Sequence, residues 1–171
     1  MCAKVEDQTW LHVLNHEQEV NMNWTEYCDL PDPDKAIAYL RSIEWGAGKH
    51  LAAVLAKGAF TAEYGESAAL YFVRQDGAFI GFGTLVAQDY LPRPALKPWI
   101  ALIYVDPKAR GQRLSEKIVR YLEAQAAAQG FDKTYLVSQH LGLYEKYGYT
   151  LLEKTDEGIH EVDYLYSKSL T

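Results

Sequence analysis

The sequence is short of the features that would commit it to a membrane, to a disulfide-built scaffold or to nucleic acid. Its longest uninterrupted apolar run, Trp99 to Val105, is seven residues, far below the roughly 20 that a spanning helix needs. No basic start followed by an apolar stretch marks a targeting segment. The two cysteines, Cys2 and Cys28, are too few for a disulfide framework and lack the Cys/His spacing of a zinc site. Both are therefore expected as free or buried thiols, no metal is expected, and a reducing cytoplasmic setting fits. Positive charge is also in deficit. The 17 Lys and Arg against 23 Asp and Glu leave a net charge of −6, the wrong sign for affinity built on neutralising the phosphates of a nucleic acid. Such a field suits a cationic partner better.

What remains is a globular composition. A hydrophobic share of 49% with 23% charged residues excludes the low-hydrophobicity signature of disorder. There is no internal repeat, low-complexity tract or long polar linker, so residues 1–171 are expected to share one core as a single domain.

Leu11 to Leu14 reads as a first short strand, and Asn15 to Leu30 has no clean period. At Asp32-Pro33-Asp34 a helix start is legible: an N-cap candidate, a proline at the first helical position and an acid in the first turn. Ala36, Ile37, Leu40 and Ile43 follow at helical spacing, and a second helix runs through Leu51, Val54 and Leu55 towards Gly58. From Ala68 the pattern becomes β, with a first strand at Ala69 to Arg74. Two strands flank the hairpin turn Asp76-Gly77, the second reaching Ala87, and Trp99 to Val105 is apolar enough for a strand buried on both faces. A helix from about Gln112 to Gln129, a strand at Thr134 to Ser138, a short helix from Leu141 to Tyr147 and strands at Tyr149 to Glu153 and Val162 to Ser167 complete the chain. Strand, helix and strand in succession predict a parallel pair joined by a crossover.

The step from that apolar strand into the long helix reads Val105-Asp106-Pro107-Lys108-Ala109-Arg110-Gly111-Gln112-Arg113-Leu114-Ser115. A strand that turns tightly into a helix leaves unpaired N–H groups at a dipole end that favours negative charge, which is a phosphate-binding arrangement. The P-loop and the three-glycine dinucleotide motif are both absent. Val-x-Pro-x-x-Arg-Gly before a long helix, then a strand, then Leu143-Tyr144-Glu145-Lys146-Tyr147-Gly148-Tyr149, resembles the coenzyme A site of the GNAT N-acetyltransferases from about Ala68 to Ser169.

The resemblance implies an α/β (α+β) single-domain fold, a mixed central sheet flanked by helices, with two parallel strands splayed to bind coenzyme A. It implies acetyl-CoA as co-substrate, phosphates held at Arg110, Gly111, Gln112, Arg113, Leu114 and Ser115, and the pantetheine arm paired with the backbone of Ile103, Tyr104 and Val105. Family members usually carry Arg or Gln, two residues, Gly, one residue, then Gly or Ala. Here Arg113 and Ser115 occupy the small positions, and Arg113 is expected to sit with ordinary helical dihedrals.

Acetyl transfer to an amine needs a neutral nucleophile, donors for the developing oxyanion and a proton for the leaving thiolate. Tyr144 occupies the family's general-acid position, and a phenol of pKa about 10 stays protonated at neutral pH. His140, four residues earlier, is the candidate base, since imidazole titrates in the useful range. The glutamate that the family often carries on the strand before the phosphate loop is missing. The expected acceptor is a small-molecule amine, with no nucleic acid or membrane partner and room for a homodimer. The competing readings are a coenzyme A-binding module without turnover and a protein lysine or N-terminal acetyltransferase.

Overall fold

The computed structural model describes residues 22–170; the strand expected at Leu11 to Leu14 lies outside them. Seven strands form one sheet in the order β1-β2-β3-β4-β5-β7-β6. They are β1 (Met22–Glu26), β2 (Ala69–Gln75), β3 (Ala78–Val86), β4 (Trp99–Val105), β5 (Lys133–Ser138), β6 (Thr150–Thr155) and β7 (Asp163–Ser169). Only β4 and β5 run parallel; every other neighbouring pair is antiparallel. The helices are α1 (Pro33–Ser42), α2 (Gly46–Ala56), α3 (Phe60–Tyr64) and α4 (Leu114–Ala128), with short 3-10 turns at Tyr27–Asp29, Pro107–Ala109 and Tyr144–Tyr147.

Alternation along β2 sorts the core into two layers. Leu70 and Phe72 join α1 and α2 through Ala36, Leu40, Leu51 and Leu55, while Tyr71 and Val73 face α4 with its Leu114, Ile118, Leu122 and Ala126. The helix start read at Asp32 is present, with its carboxylate accepting from the Lys35 amide at 3.4 Å. At the hairpin both Asp76 and Gly77 have positive φ, as a two-residue type I′ turn requires. Gly83 lets α4 settle on β3, because a Cβ there would lie 2.7 Å from Ile118 Cγ2 and 2.8 Å from Leu122 Cδ1.

Three expectations are corrected. The segment before Leu30, expected to have no clean period, contains strand β1, whose Met22 to Glu26 pairs with Gln75 to Tyr71. Cys28 is disulfide-bonded rather than free; Cys2 is outside the described residues. And β4 is buried only at its start: Trp99, Ile100 and Ala101 are buried, whereas Leu102 to Val105 are half-buried.

Candidate active site

The loss of burial along β4 has a geometric origin. The parallel junction with β5 consists of one residue pair, Trp99 with Tyr135, extended by the Tyr135 amide donating to the Pro98 carbonyl at 3.1 Å. Beyond that point the two strands part. On its other edge β4 stays paired with β3, but Ala101 faces Thr84 and Tyr104 faces Phe82, so Leu102 and Ile103 together oppose Gly83. This is a β-bulge, which bends the strand and re-aims its backbone. Leu102 takes φ +49° to form it, a conformation that costs a bulky L-residue about 1–2 kcal/mol. The buried Thr84 hydroxyl braces the bend by donating to the Ala101 carbonyl at 2.8 Å. As a result Leu102 and Tyr104 pack with the α1/α2 layer, and Ile103 and Val105 with the α4 layer. Nothing in the sequence signalled the bulge, since leucine is among the residues least suited to left-handed φ.

Past β4, Asp106 accepts from the Lys108 amide at 2.9 Å and starts the 3-10 turn, and Gly111 reverses the chain at φ +81°. The helix begins at Leu114, later than the expected Gln112. Arg113 is therefore an N-cap residue at φ +54°, ψ +29°, left-handed rather than helical as expected. It gives no side-chain cap. From Gly111 onwards, the first amide with a backbone acceptor among the described residues is that of Lys117, which donates to the Arg113 carbonyl at 3.2 Å. The amides of Gly111, Gln112, Arg113, Leu114, Ser115 and Glu116 are thus unclaimed by backbone or side chain, at the positive end of a 15-residue helix. Lys108, Arg110, Arg113 and Lys117 surround them, all exposed. Arg113 turns its guanidinium onto Glu116, with its Nε donating at 2.8 Å, so the side chain bends towards the helix flank.

Tyr144 opens the 3-10 turn that Gly148 closes at φ +89°. Its ring is buried among Tyr147, Tyr149 and Tyr166, and that burial pushes the phenol up to about 12, with the Ser138 side chain pulling weakly the other way. The group is therefore a protonated donor across the neutral range. Ser138, which ends β5, stands near that phenol at the lip of the splayed strand. Ser115 ties the turn to α4: its hydroxyl lies 2.9 Å from the Tyr147 hydroxyl. His140 is exposed, its amide donating to Ser138 Oγ at 3.0 Å and its carbonyl accepting from the Tyr166 hydroxyl at 3.1 Å. No bond to its ring is present among the described residues. Sequence reasoning missed Lys168, which donates to both Glu123 (2.7 Å) and the Tyr147 carbonyl (3.0 Å) and so fixes the turn to α4. A surface hollow by Leu30, Lys35, Arg74 and Phe79 is built by the β2–β3 hairpin and the start of α1, and shares no residue with this region.

A sequence-family profile described as an acetyltransferase (GNAT) domain matches residues 66–151, half of the chain. The chain belongs to the GNAT acetyltransferase family. The matched stretch runs from the residues just before β2 into β6, and takes in the bulge, the amide-rich turn and Tyr144. Solved GNAT structures share the fold at low identity. An aminoglycoside 6'-N-acetyltransferase from Enterococcus faecium is 16% identical with a TM-score of 0.65, over 87% of this chain and 97% of that one. An aminoglycoside 6'-N-acetyltransferase complexed with coenzyme A is 14% identical with a TM-score of 0.63, over 87% and 97%. A GNAT family acetyltransferase from Elizabethkingia anophelis with acetyl-CoA bound is 15% identical with a TM-score of 0.59, over 87% and 98%. No curated protein sequence matches the chain. Within the GNAT pattern the departure at Arg113 now has a backbone meaning, since a glycine at that position would take φ +54° without strain. None of the helices described is long and apolar enough to cross a membrane.

Proposed function

We propose that this GNAT protein transfers the acetyl group of acetyl-CoA to the amine of a small molecule by direct attack on the thioester. The observation that carries the reading is the single-pair junction between β4 and β5 opening beside six unclaimed amides at the start of α4. Its chemistry fits the two ends of coenzyme A. Pyrophosphate suits the amides of 111–116 and the cations around them, and a chain of secondary amides suits the backbone edge of Ile103, Tyr104 and Val105, which β5 leaves unpaired. The relatives with coenzyme A and acetyl-CoA bound support the ligand, and the two aminoglycoside acetyltransferases support a small, multiply cationic amine as acceptor.

In this reading the turn amides hold the phosphates and the β4 edge orients the thioester arm. An amide near Val105 donates to the carbonyl oxygen as charge builds there. The Tyr144 hydroxyl gives its proton to the departing sulfur. Raising acetyl-CoA to about 100 times its dissociation constant should stabilise the fold by about 2.7 kcal/mol, which for a chain of this size is a melting shift of roughly 5–10 °C. No shift and no calorimetric heat at millimolar acetyl-CoA would remove the reading.

Backbone rather than side-chain contacts to the phosphates make a second, ordered expectation. Gly111→Pro loses both the φ of +81° and one amide, and should weaken acetyl-CoA binding by about 10- to 100-fold, the value of one charge-assisted hydrogen bond. Arg113→Gly removes an exposed ion pair worth under about 1 kcal/mol and relieves left-handed strain of similar size or larger. It should bind acetyl-CoA as well as the parent and melt no lower. The reverse order in calorimetry would assign the phosphates to the arginine side chain.

A further inference from the structure

The gap between β4 and β5 has two faces, each lined by a different part of the core. On the α4 face Tyr144, Tyr147 and Tyr166 pack closely with Ile103 and Ile118. The other face is bordered by Leu102 and Val137 and by the loop between β3 and β4, whose Tyr90, Leu91 and Leu96 lie against Trp99, Ala101 and Leu165. An amine attacking a thioester held in the gap, with the acid Tyr144 on the packed side, approaches from this second face.

A hydrogen-bonded cluster stands there. The Tyr90 hydroxyl donates to Asp163 Oδ1 at 2.8 Å, and His160 Nδ1 lies 2.9 Å from the same oxygen. The Tyr90 and His160 rings meet edge-on at 5.7 Å. Asp163 is wholly buried at the start of β7, and its Oδ2 has no partner among the described residues. The loop between β6 and β7 closes over it at Gly158, where a Cβ would lie 2.0 Å from Asp163 Oδ2 and 2.9 Å from Tyr90 Cε2. His160 keeps a side-chain exposure of 35%. Nδ1 is the ring nitrogen engaged by the Asp163 carboxyl, and Nε2 has no partner among the described residues; where Nδ1 donates to the carboxylate, Nε2 keeps its lone pair.

We infer that His160, oriented by Asp163 and Tyr90, is the proton acceptor for the incoming amine in place of His140, whose ring has no partner among the described residues to orient it. The inference rests on the acetyl-transfer reading above. It supplies the base that β4 lacks, which contains no acid between Trp99 and Val105. The acceptor ammonium gives one proton to His160 Nε2 and becomes nucleophilic. Its nitrogen then bonds to the acetyl carbon, the carbon–sulfur bond breaks, sulfur takes the Tyr144 proton, and the phenolate recovers the second proton from nitrogen. The products are amide and free thiol, and the imidazolium returns one proton to water. Asp163 and Tyr90 are positioning residues. The other titratable groups near the cluster are Asp89, held up at about 6 by burial and accepting from the Tyr90 amide at 2.8 Å, and Tyr144, whose phenol is neutral across the neutral range. Arg93 of the same loop is taken by Glu153 and Glu157. The cluster sets two carboxyl groups, those of Asp89 and Asp163, on the side from which the acceptor comes.

The test uses the full chain with kanamycin, spermidine and lysine amide as amine probes and thiol release as the readout. His160→Gln should lower kcat about 100-fold, flatten the acidic limb of the pH profile, and leave acetyl-CoA affinity by calorimetry unchanged. Gly158→Ala, which pushes the loop off Asp163, should lower kcat in the same direction with acetyl-CoA affinity intact. Nitrogen-15 spectra of the parent should show a protonated Nδ1 and a bare Nε2 on His160. A parental rate and pH profile in His160→Gln, the opposite tautomer, or thiol release with none of the probes would each overturn the proposal. Failure of the parent to bind acetyl-CoA would instead overturn the underlying reading, and the proposal with it.

Discussion

Tyr144→Phe should release thiol about 100-fold more slowly than the parent, near the lower end of the 10²- to 10⁴-fold range for a lost general acid, because a thiolate leaves fairly well unaided. The substitution is clean in structural terms. Its ring contacts, at centroid distances of 5.7 Å to Tyr147, 6.1 Å to Tyr149 and 5.8 Å to Tyr166, all survive in phenylalanine. Only the hydroxyl near Ser138 is removed. Acetyl-CoA affinity should stay within a few-fold, so the loss falls in kcat. The pH behaviour separates the acid role from packing. Burial lifts the folded-state phenol from about 10 to about 12, so the folded chain holds this proton where the unfolded chain has lost it. Tyr144 therefore stabilises the fold below about pH 10 and loses that contribution as pH rises towards 12. In Tyr144→Phe this component of alkaline destabilisation should be missing. Parental turnover in the variant, measured where chemistry limits the rate, would rule the acid role out.

Trp99→Ala should cost about 3–5 kcal/mol in urea denaturation. The indole is fully buried, its N–H donates to the Leu96 carbonyl at 2.6 Å, and its residue makes the one pairing between β4 and β5. Deleting it leaves a cavity beneath the point where the strands part, where neither strand has a further rung to close it. Trp99→Phe should cost less, because it retains most of the buried ring area and loses mainly the indole hydrogen bond. A loss under 1 kcal/mol in the alanine variant would mean that the junction is held by α4 and not by the tryptophan.

The sequence was most legible where local chemistry and tertiary packing agree. Asp32-Pro33, Asp76-Gly77 and Gly148 each sit where their dihedral or capping preference is used, and Trp99 to Val105 is a strand with the bounds its apolar run suggested. It failed where packing overrules preference. Leu102 and Arg113 both adopt left-handed φ against their own tendencies, one to make the bulge and the other to start α4. No single-residue pattern foretells either. Strand β1 was missed because its apolar–polar alternation, Met22 to Thr25, is only four residues long and breaks at Glu26, and its form is fixed by pairing with β2. The cluster of Tyr90, His160 and Asp163 was equally silent, since its members lie 70 or more residues apart on one side and three on the other.

The single rung between β4 and β5 divides the sheet into two ladders of different ancestry in the chain. One is β1 to β4; the other is β5, β7 and β6, joined to the first only through the Trp99–Tyr135 pair and the Tyr135 amide's bond to the Pro98 carbonyl. In native-state hydrogen exchange the two ladders are expected to open as separate cooperative units, coupled by α4 and by few backbone bonds. A ligand that pairs with one lip and touches the other closes that break. Its binding energy then enters the opening free energy of both units at once, so occupancy of the gap is written in amide protection far from any residue that the ligand touches.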